Sequence, residues 1–323
     1  MLFIDEYKEA YKYHKSLLSC WLKIKLFGKT ELKNHCSYCD NGIECSNKNT
    51  ESHNYKFSNT TLDFFSGSTI EDLLTSKPLK LIELSKKFDS EITDEDERIQ
   101  IEKLFKESGY SRFFQKKHGK HFLSLLQRST CTYCNRNYTL NISNRHASAQ
   151  LDHWYPKDKF AILSLSFYNL IPSCPSCNHI KGNSGKDKIW WQDMAWEEIL
   201  HPYFPQENEK FKFDFTYNED KDSFNVVFRD LTGNKIDKSL KFCHIQSIYQ
   251  SHADLELRDL YYLRLKYPDN YINGLMEKLH LHEPDENEKY RLIFGISKDE
   301  KDYYQRPLSK FKNDIIEELL KIE

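Results

Sequence analysis

The chain has 323 residues, 39% apolar and 30% charged, with 21 Phe and 20 Tyr, which is enough for two or three domains around a buried core and excludes both a disordered chain and a small scaffold held by disulfides. The formal net charge of -2 averages two unlike parts: Ser108 to Trp190 holds twelve Lys/Arg against three Asp/Glu, so that window is +9 and the remainder -11. The N-terminus carries acids and no uninterrupted apolar run, and later apolar runs are too short to span a bilayer, so a cytoplasmic chain with no membrane segment is expected, one in which paired cysteines mean metal rather than disulfides.

Residues 2–28 carry Phe3, Tyr7, Tyr11, Leu17, Leu18, Trp21, Leu22, Ile24 and Leu26 at helical spacing and stop at Gly28, so one long glycine-capped helix is predicted. Residues 29–60 lose that periodicity and read as a long loop. Within it His35, Cys36, Cys39, Cys45 and His53 form a candidate second zinc site, with free thiols in a surface loop as the alternative. Cys20 and Cys243 lie in helical apolar patterns and read as buried small hydrophobes.

Ser68 to Glu71 fits a capping box opening a helix through Ser76, Pro78 ends or restarts it, and Lys80 to Lys87 continues the pattern. The acidic run Glu91 to Glu97 opens a helix that Gly109 is expected to close. Residues 112–127 form a basic amphipathic helix burying Phe113, Phe114, Phe122, Leu123 and Leu126, with His118 and His121 as phosphate contacts or surface residues. After the basic window, Ile189 to Leu200 reads as a short helix whose Trp190, Trp191 and Trp196 are expected in the core, with a base-stacking platform as the alternative. Phe211, Phe213 and Phe215, then Phe224, Val226 and Phe228, alternate about the turn Asn218 to Asp220, which predicts a hairpin extended by a third strand after Gly233-Asn234. Helical patterns return from Lys238, broken at Pro268, Pro284 and Pro307. Gly182 to Lys186 is too short between its glycines for a nucleotide-binding P-loop.

The chemistry concentrates between Cys131 and Lys181. Cys131/Cys134 and Cys174/Cys177 are two Cys-x-x-Cys pairs with the spacing of one four-thiolate structural zinc site, provided the chain between them folds back on itself. Ala149 to Trp154 and Asn169 to Ser173 read as short strands and the segment from Pro175 to Gly182 as a helix, so a strand, loop, strand, helix unit clamped by cysteines is predicted. On the cysteines alone this is a zinc ribbon without catalysis. The interior residues add the parts of a phosphodiesterase: Asp152 as a hard oxygen ligand for Mg²⁺ or Mn²⁺, and His153 as a general base near neutrality. Asn178 and Lys181, one helical turn apart, would offer an amide oxygen and an ammonium on one face. Neighbours on a strand face opposite ways, so Asp152 and His153 reach one phosphate only at a bulge or strand end, which Pro156 favours. His179 points elsewhere round the helix and reads as a residue behind the site or on the surface rather than as a metal ligand.

The order Cys-x-x-Cys, Asp152-His153-x-x-Pro156, Asn169-Leu, Cys-x-x-Cys-Asn178-x-x-Lys181 resembles the HNH endonuclease family, the zinc-bearing branch of the ββα-metal nucleases, over about 50 of 323 residues. The resemblance implies Asp152 and Asn178 as ligands of a catalytic metal, His153 as general base, Asn169 as the residue bracing the loop between the strands, and Lys181 as the basic residue after the second ligand. Trp154-Tyr155 departs from the family's small aliphatic pair, and no Gly-Gly follows Pro156. The wording LDHWYPK and SFYNLIPSCPSCNHIKG is also similar to the PtuB-like HNH nucleases of Septu and related retron antiphage defence systems, which implies an ATPase partner of the PtuA type.

Together these readings predict a mostly helical α+β protein: a helical region at 1–125, a zinc-stabilised HNH core at 126–190, and an α+β region with the hairpin at 191–323. The expected function is metal-dependent cleavage of DNA, with Arg136, Arg145 and Lys157 of the basic window as substrate contacts. The alternatives are an HNH-fold ribonuclease acting on RNA such as tRNA, and a non-catalytic zinc module that recruits a partner.

Overall fold

The protein is seen as a computed structural model that describes residues 3–4, 7–29, 36–140, 149–182, 195–266, 274 and 285–321. Helix α1 (Lys8–Phe27) buries Ala10, His14, Leu17, Leu18, Trp21 and Leu22 along one side, and Gly28 ends it at φ 82°, a value that suits glycine. A long connection, with one short 3-10 turn (Gly42–Glu44) among its described residues, leads to α2 (Asn59–Phe65), whose first turn is capped by Ser58 Oγ accepting from Thr61 N at 3.3 Å. Helices α3 (Thr69–Thr75) and α4 (Pro78–Glu91) follow, the second starting on its proline. Ser68 does not cap α3 as a capping box requires. Its own backbone is helical and its hydroxyl donates instead to Asp72 Oδ2 at 3.1 Å.

Helix α5 (Glu95–Lys103) opens on Asp94, whose Oδ1 accepts from Glu97 N at 2.8 Å, and runs on into a wider-wound π-helical stretch, Leu104–His118, before α6 (Gly119–Leu125). The expectation that Gly109 closes the helix is therefore corrected. Gly109 sits mid-stretch because the helix passes so close to its neighbours that a Cβ there would lie 2.8 Å from Leu165 Cδ1 and 3.2 Å from the Trp21 ring.

Strands β1 (Gln150–His153) and β2 (Leu170–Ser173) pair antiparallel, with Asp152 opposite Ile171 and His153 opposite Leu170, and α7 (Pro175–Gly182) packs on β1. Beyond α8 (Ala195–Glu198), a second antiparallel pair is formed by β3 (Lys210–Asn218) and β4 (Ser223–Thr232), with Phe213 opposite Phe228 and a register shift near Lys212. Among the described residues no third strand extends it. The residues from Asn234 form α9 (Asn234–Phe242), because Ile236 and Leu240 are four apart and bury on one helical side. Helices α10 (Ile245–Gln250) and α11 (Arg258–Lys266) come next, joined by a π-helical turn. Two further α-helices, Glu286–Phe294 and Ser309–Leu319, with a 3-10 helix (Glu300–Gln305) between them, complete the described chain, which is α+β and mostly helical. Trp190, Trp191, Pro268 and Pro284 lie outside the described residues, whereas Trp196 packs against His201 and Phe204.

One continuous set of buried apolar side chains runs from Ile4 to Leu319 and encloses the β1–β2–α7 unit from two sides. On the N-terminal side Tyr7, Tyr11 and His14 of the first region meet Phe167 in the loop between β1 and β2, and Trp21 stacks on Phe113 at 4.9 Å. On the other side the last helix packs on β3, where Asp314 Oδ2 accepts from Phe213 N at 2.9 Å and Phe311 meets Phe213 and Tyr249. Among the described residues no helix is long and apolar enough to cross a membrane.

Candidate functional site

Cys131, Cys134, Cys174 and Cys177 are all buried, and their four Sγ atoms lie within 4.8 Å of one another. A tetrahedral zinc with Zn–S bonds near 2.3 Å sets its sulfurs about 3.8 Å apart, and Cys134 Sγ stands 4.0 Å from Cys174 Sγ. This donor set fits a structural zinc ion. The knuckle that carries the first two cysteines is closed by Cys131 N donating to Asn137 O at 3.0 Å, and Arg136 N and Asn137 Nδ2 point at the sulfurs of Cys134 and Cys174. The C-terminal region grips the same knuckle: Tyr249 Oη donates to Cys134 O at 2.6 Å, and Asn135, at φ 50°, accepts from Leu308 N and donates to Tyr303 O.

There is no bulge between Asp152 and His153, whose side chains leave the strand on opposite faces, but β1 ends at His153, so the strand end is what would let the two reach one phosphate from two sides. His153 is 8% exposed, and its Nε2 lies 3.1 Å from Ser164 O. A carbonyl only accepts, so Nε2 carries the proton and Nδ1 is left with the lone pair. The Tyr110 ring meets the imidazole edge-on at 4.3 Å, and Tyr110 Oη donates to Leu151 O. Burial, reinforced by the Lys157 charge, pushes the His153 imidazole down to about 3, so it is neutral at physiological pH. Asn169 is buried and ties the loop's two ends together: its Oδ1 accepts from Tyr155 N at 2.6 Å, and its Nδ2 donates to Leu163 O at 2.8 Å and Tyr155 O at 3.1 Å.

Asp152 faces the interior. Its Oδ2 accepts from Tyr133 Oη at 2.6 Å and lies 2.9 Å from Lys181 Nζ. Burial raises its carboxyl above the usual range against the opposing pull of Lys181 and Tyr133. Lys181 is equally buried and also donates to His153 O at 2.5 Å and Trp154 O at 3.2 Å, so its ammonium holds the end of β1 as well as the carboxylate. Phe242 and Cys243 close over Tyr133 and Lys181 from α9 and the residue after it. Asn178 lies on the same side of β1, with its Nδ2 donating to Gln150 Oε1 at 2.7 Å, which leaves its amide oxygen as the remaining donor. An Asp152 carboxylate and an Asn178 amide oxygen are hard donors of the kind Mg²⁺ or Mn²⁺ takes, and Lys181 would compete with such an ion for Oδ2.

Of the expected substrate contacts, Arg136 is half-buried beside the first cysteine knuckle and Lys157 lies over the Tyr110 ring at 5.2 Å, near His153. Arg145 lies outside the described residues. His118 is bound to Tyr13 through a 2.7 Å contact between its Nδ1 and the phenol oxygen, His121 rests on the same ring, and His179 is exposed. Two neighbours of the site were missed in the sequence. Tyr133 carries a weak signal, its place inside Cys131-Thr-Tyr-Cys134, whereas Tyr110 had none, being one aromatic of a helical stripe.

A second group of cysteines is also assembled: the Sγ atoms of Cys20, Cys36, Cys39 and Cys45 lie within 4.8 Å of one another. Cys20 is thus corrected from a small hydrophobe to a member of this cluster. His53 stands outside it, with Nδ1 accepting from Tyr55 N at 3.1 Å, and His35 lies outside the described residues.

Residues 131–184 match the model of the HNH endonuclease family. No curated protein and no solved structure shows significant similarity to the chain.

Proposed function

We propose that the protein is a metal-dependent HNH endonuclease that hydrolyses phosphodiester bonds of DNA, and that it serves as the nuclease of an antiphage defence system beside an ATPase partner of the PtuA type. The observation that carries the catalytic reading is the oriented imidazole at the end of β1. Ser164 O fixes its tautomer, Asn169 holds the loop that supplies that carbonyl, and the neutral ring presents Nδ1 as the proton acceptor for an attacking water. Asp152 and Asn178 are the residues that would hold Mg²⁺ or Mn²⁺, and such an ion would supply Lewis-acid stabilisation of the scissile phosphate and leaving oxygen. Lys157, Arg136 and Arg145 belong to the +9 window and would meet the phosphate backbone. Hydrolysis of this type leaves 3′-hydroxyl and 5′-phosphate ends. The defence role and the partner rest on the wording of the segments around Asp152 and Asn178, and the cytoplasmic location follows from that role.

The test is plasmid nicking by the purified protein, with Mg²⁺ and with or without an ATPase of the PtuA type, alongside tRNA as competing substrate. His153→Ala, folded and zinc-loaded, is expected to lose about 10²- to 10⁴-fold in rate, the usual contribution of a general base. Equal cutting by that variant would overturn the mechanism, and preferential tRNA cleavage would move the substrate to RNA. The burial of the Asp152–Lys181 pair favours a second reading, a non-catalytic zinc module. That reading requires that no metal-dependent cleavage occur and that Asp152→Ala act on stability alone.

A further inference from the structure

We infer that Cys20, Cys36, Cys39 and Cys45 hold a second zinc ion, separate from the four-cysteine group of the nuclease-like segment, and that this ion fastens the connection after α1 onto that helix. The donor set is four sulfurs within 4.8 Å of one another, with Cys20 Sγ 3.6 Å from Cys45 Sγ, close to the edge of about 3.8 Å that a zinc tetrathiolate requires. Four soft donors in a closed tetrahedron, with no place left for water, suit a structural ion.

The first knuckle is rebuilt here. Cys36-Ser-Tyr-Cys39 repeats Cys131-Thr-Tyr-Cys134, and in both the amide of the first cysteine donates to the carbonyl six residues on, Cys36 N to Gly42 O at 3.3 Å and Cys131 N to Asn137 O at 3.0 Å. In both, the tyrosine hydroxyl ties the knuckle to a neighbouring element, Tyr38 to Gly28 O at 2.7 Å and Tyr133 to Asp152. N–H donors converge on the sulfurs of both groups. Asn47 supplies two in this one, its Nδ2 to Cys20 Sγ at 2.7 Å and its backbone N to Cys45 Sγ at 3.4 Å. Such donors stabilise thiolates and are what surrounds a metal-bound sulfur.

Among the described residues apolar burial does not account for the cluster. There it is separate from the main core, and Ile24 is the one fully buried apolar residue besides the cysteines, with Tyr38 half-buried beside it. Yet residues 36–58, with a single short turn among them, form a stretch longer than ordinary connections. Two further fastenings reach the same helix, Asn47 Nδ2 to Leu17 O at 2.6 Å and His53 N to Lys25 O at 3.1 Å. Cys20 comes from α1 itself, so a metal at this point joins the helix, the knuckle and the segment after it.

The test is metal analysis and native mass spectrometry of the full chain purified under reducing conditions. Two zinc ions per chain are expected, falling to one in Cys20→Ser and in Cys45→Ser. Cys39→His, which keeps a zinc-competent nitrogen, is expected to retain two and covers the case in which a serine variant fails to fold. One zinc per chain in the parent, unchanged by Cys20→Ser, would overturn the inference. So would iron in the second position, or a mass showing a disulfide among these four cysteines. The count is independent of nuclease activity and of its substrate.

Discussion

The two four-cysteine clusters share a ligand set and a knuckle but differ in what is built on them. Cys131, Cys134, Cys174 and Cys177 belong to the main core, and elements from across the chain close on their knuckle: Tyr249, Leu308 and Tyr303 from the C-terminal region, Asp152 through Tyr133. Cys20, Cys36, Cys39 and Cys45 form a satellite under one loop. A metal held by the first cluster would therefore fix the relation of β2, α7 and, through Tyr133, β1, which carry the candidate catalytic residues, while one held by the second would fix one connection to one helix. A metal ligand's contribution to the fold is set by how many elements converge on it rather than by the ligand itself.

The largest expected effect follows from that difference. Structural zinc sites supply on the order of 10 kcal/mol of apparent folding energy, as much as the whole net stability of a typical domain. Cys174→Ser is accordingly expected to abolish the cooperative urea transition of the central unit, seen as lost near-ultraviolet circular dichroism. Cys20→Ser should leave a cooperative transition at a lower midpoint. If the two variants unfold alike, the hub and the satellite are not distinct.

A smaller effect comes from imidazoles buried on the core side of the comparison. His14, packed among Phe114, Phe122 and Phe167, and His201, packed against Trp154 and Phe204, are both pushed down to about 3 by burial. Their folded values lie below the ordinary 6.5, so the unfolded chain binds more protons between those limits. The stability they contribute is fully present above pH 6.5 and is lost as the pH falls toward 3. Each group contributes a slope of at most about 1.4 kcal/mol per pH unit. Urea midpoints measured at pH 7, 6 and 5 should fall accordingly, and His14→Leu should remove about half of the slope these two groups cause. A flat profile between pH 7 and 5 would mean that these rings are not buried neutral.

Much of this arrangement could be read from the sequence where a local pattern dictates it. The alternation of Phe211 to Phe228 gives the hairpin, Pro175 and Gly182 bracket α7, and two Cys-x-x-Cys pairs give one cluster. What failed was set by tertiary contact. Gly109 has the look of a helix stop, yet it is there because Leu165 and Trp21 crowd the backbone. Cys20 sits in an apolar helical stripe that nothing local distinguishes, and its partners lie 16 or more residues away. Gly233-Asn234 has turn chemistry that serves equally to extend a sheet or to start α9, and the burial of Ile236 and Leu240 decides it. The inward turn of Lys181 onto Asp152 is likewise invisible in a one-turn spacing, since spacing gives the face and not the neighbour across it.

The smallest and sharpest comparison is between the two knuckle tyrosines. Tyr133 donates to a buried carboxylate and Tyr38 to a half-buried backbone carbonyl. Hydrogen bonds to charged groups are worth about 1.5–3 kcal/mol and neutral ones about 1 kcal/mol, so Tyr133→Phe should destabilise the chain more than Tyr38→Phe. It should do more than that, because losing the phenol leaves Asp152 with Lys181 as its remaining partner on Oδ2 and raises its carboxyl further. If the Asp152 carboxylate matters to cleavage, Tyr133→Phe should shift the acidic limb of the pH–rate profile upward while Tyr38→Phe leaves it in place. Equal losses of stability and identical pH profiles would mean that the two knuckles differ in position alone, and that Tyr133 is a fastening of the fold with no part in setting the charge of the site.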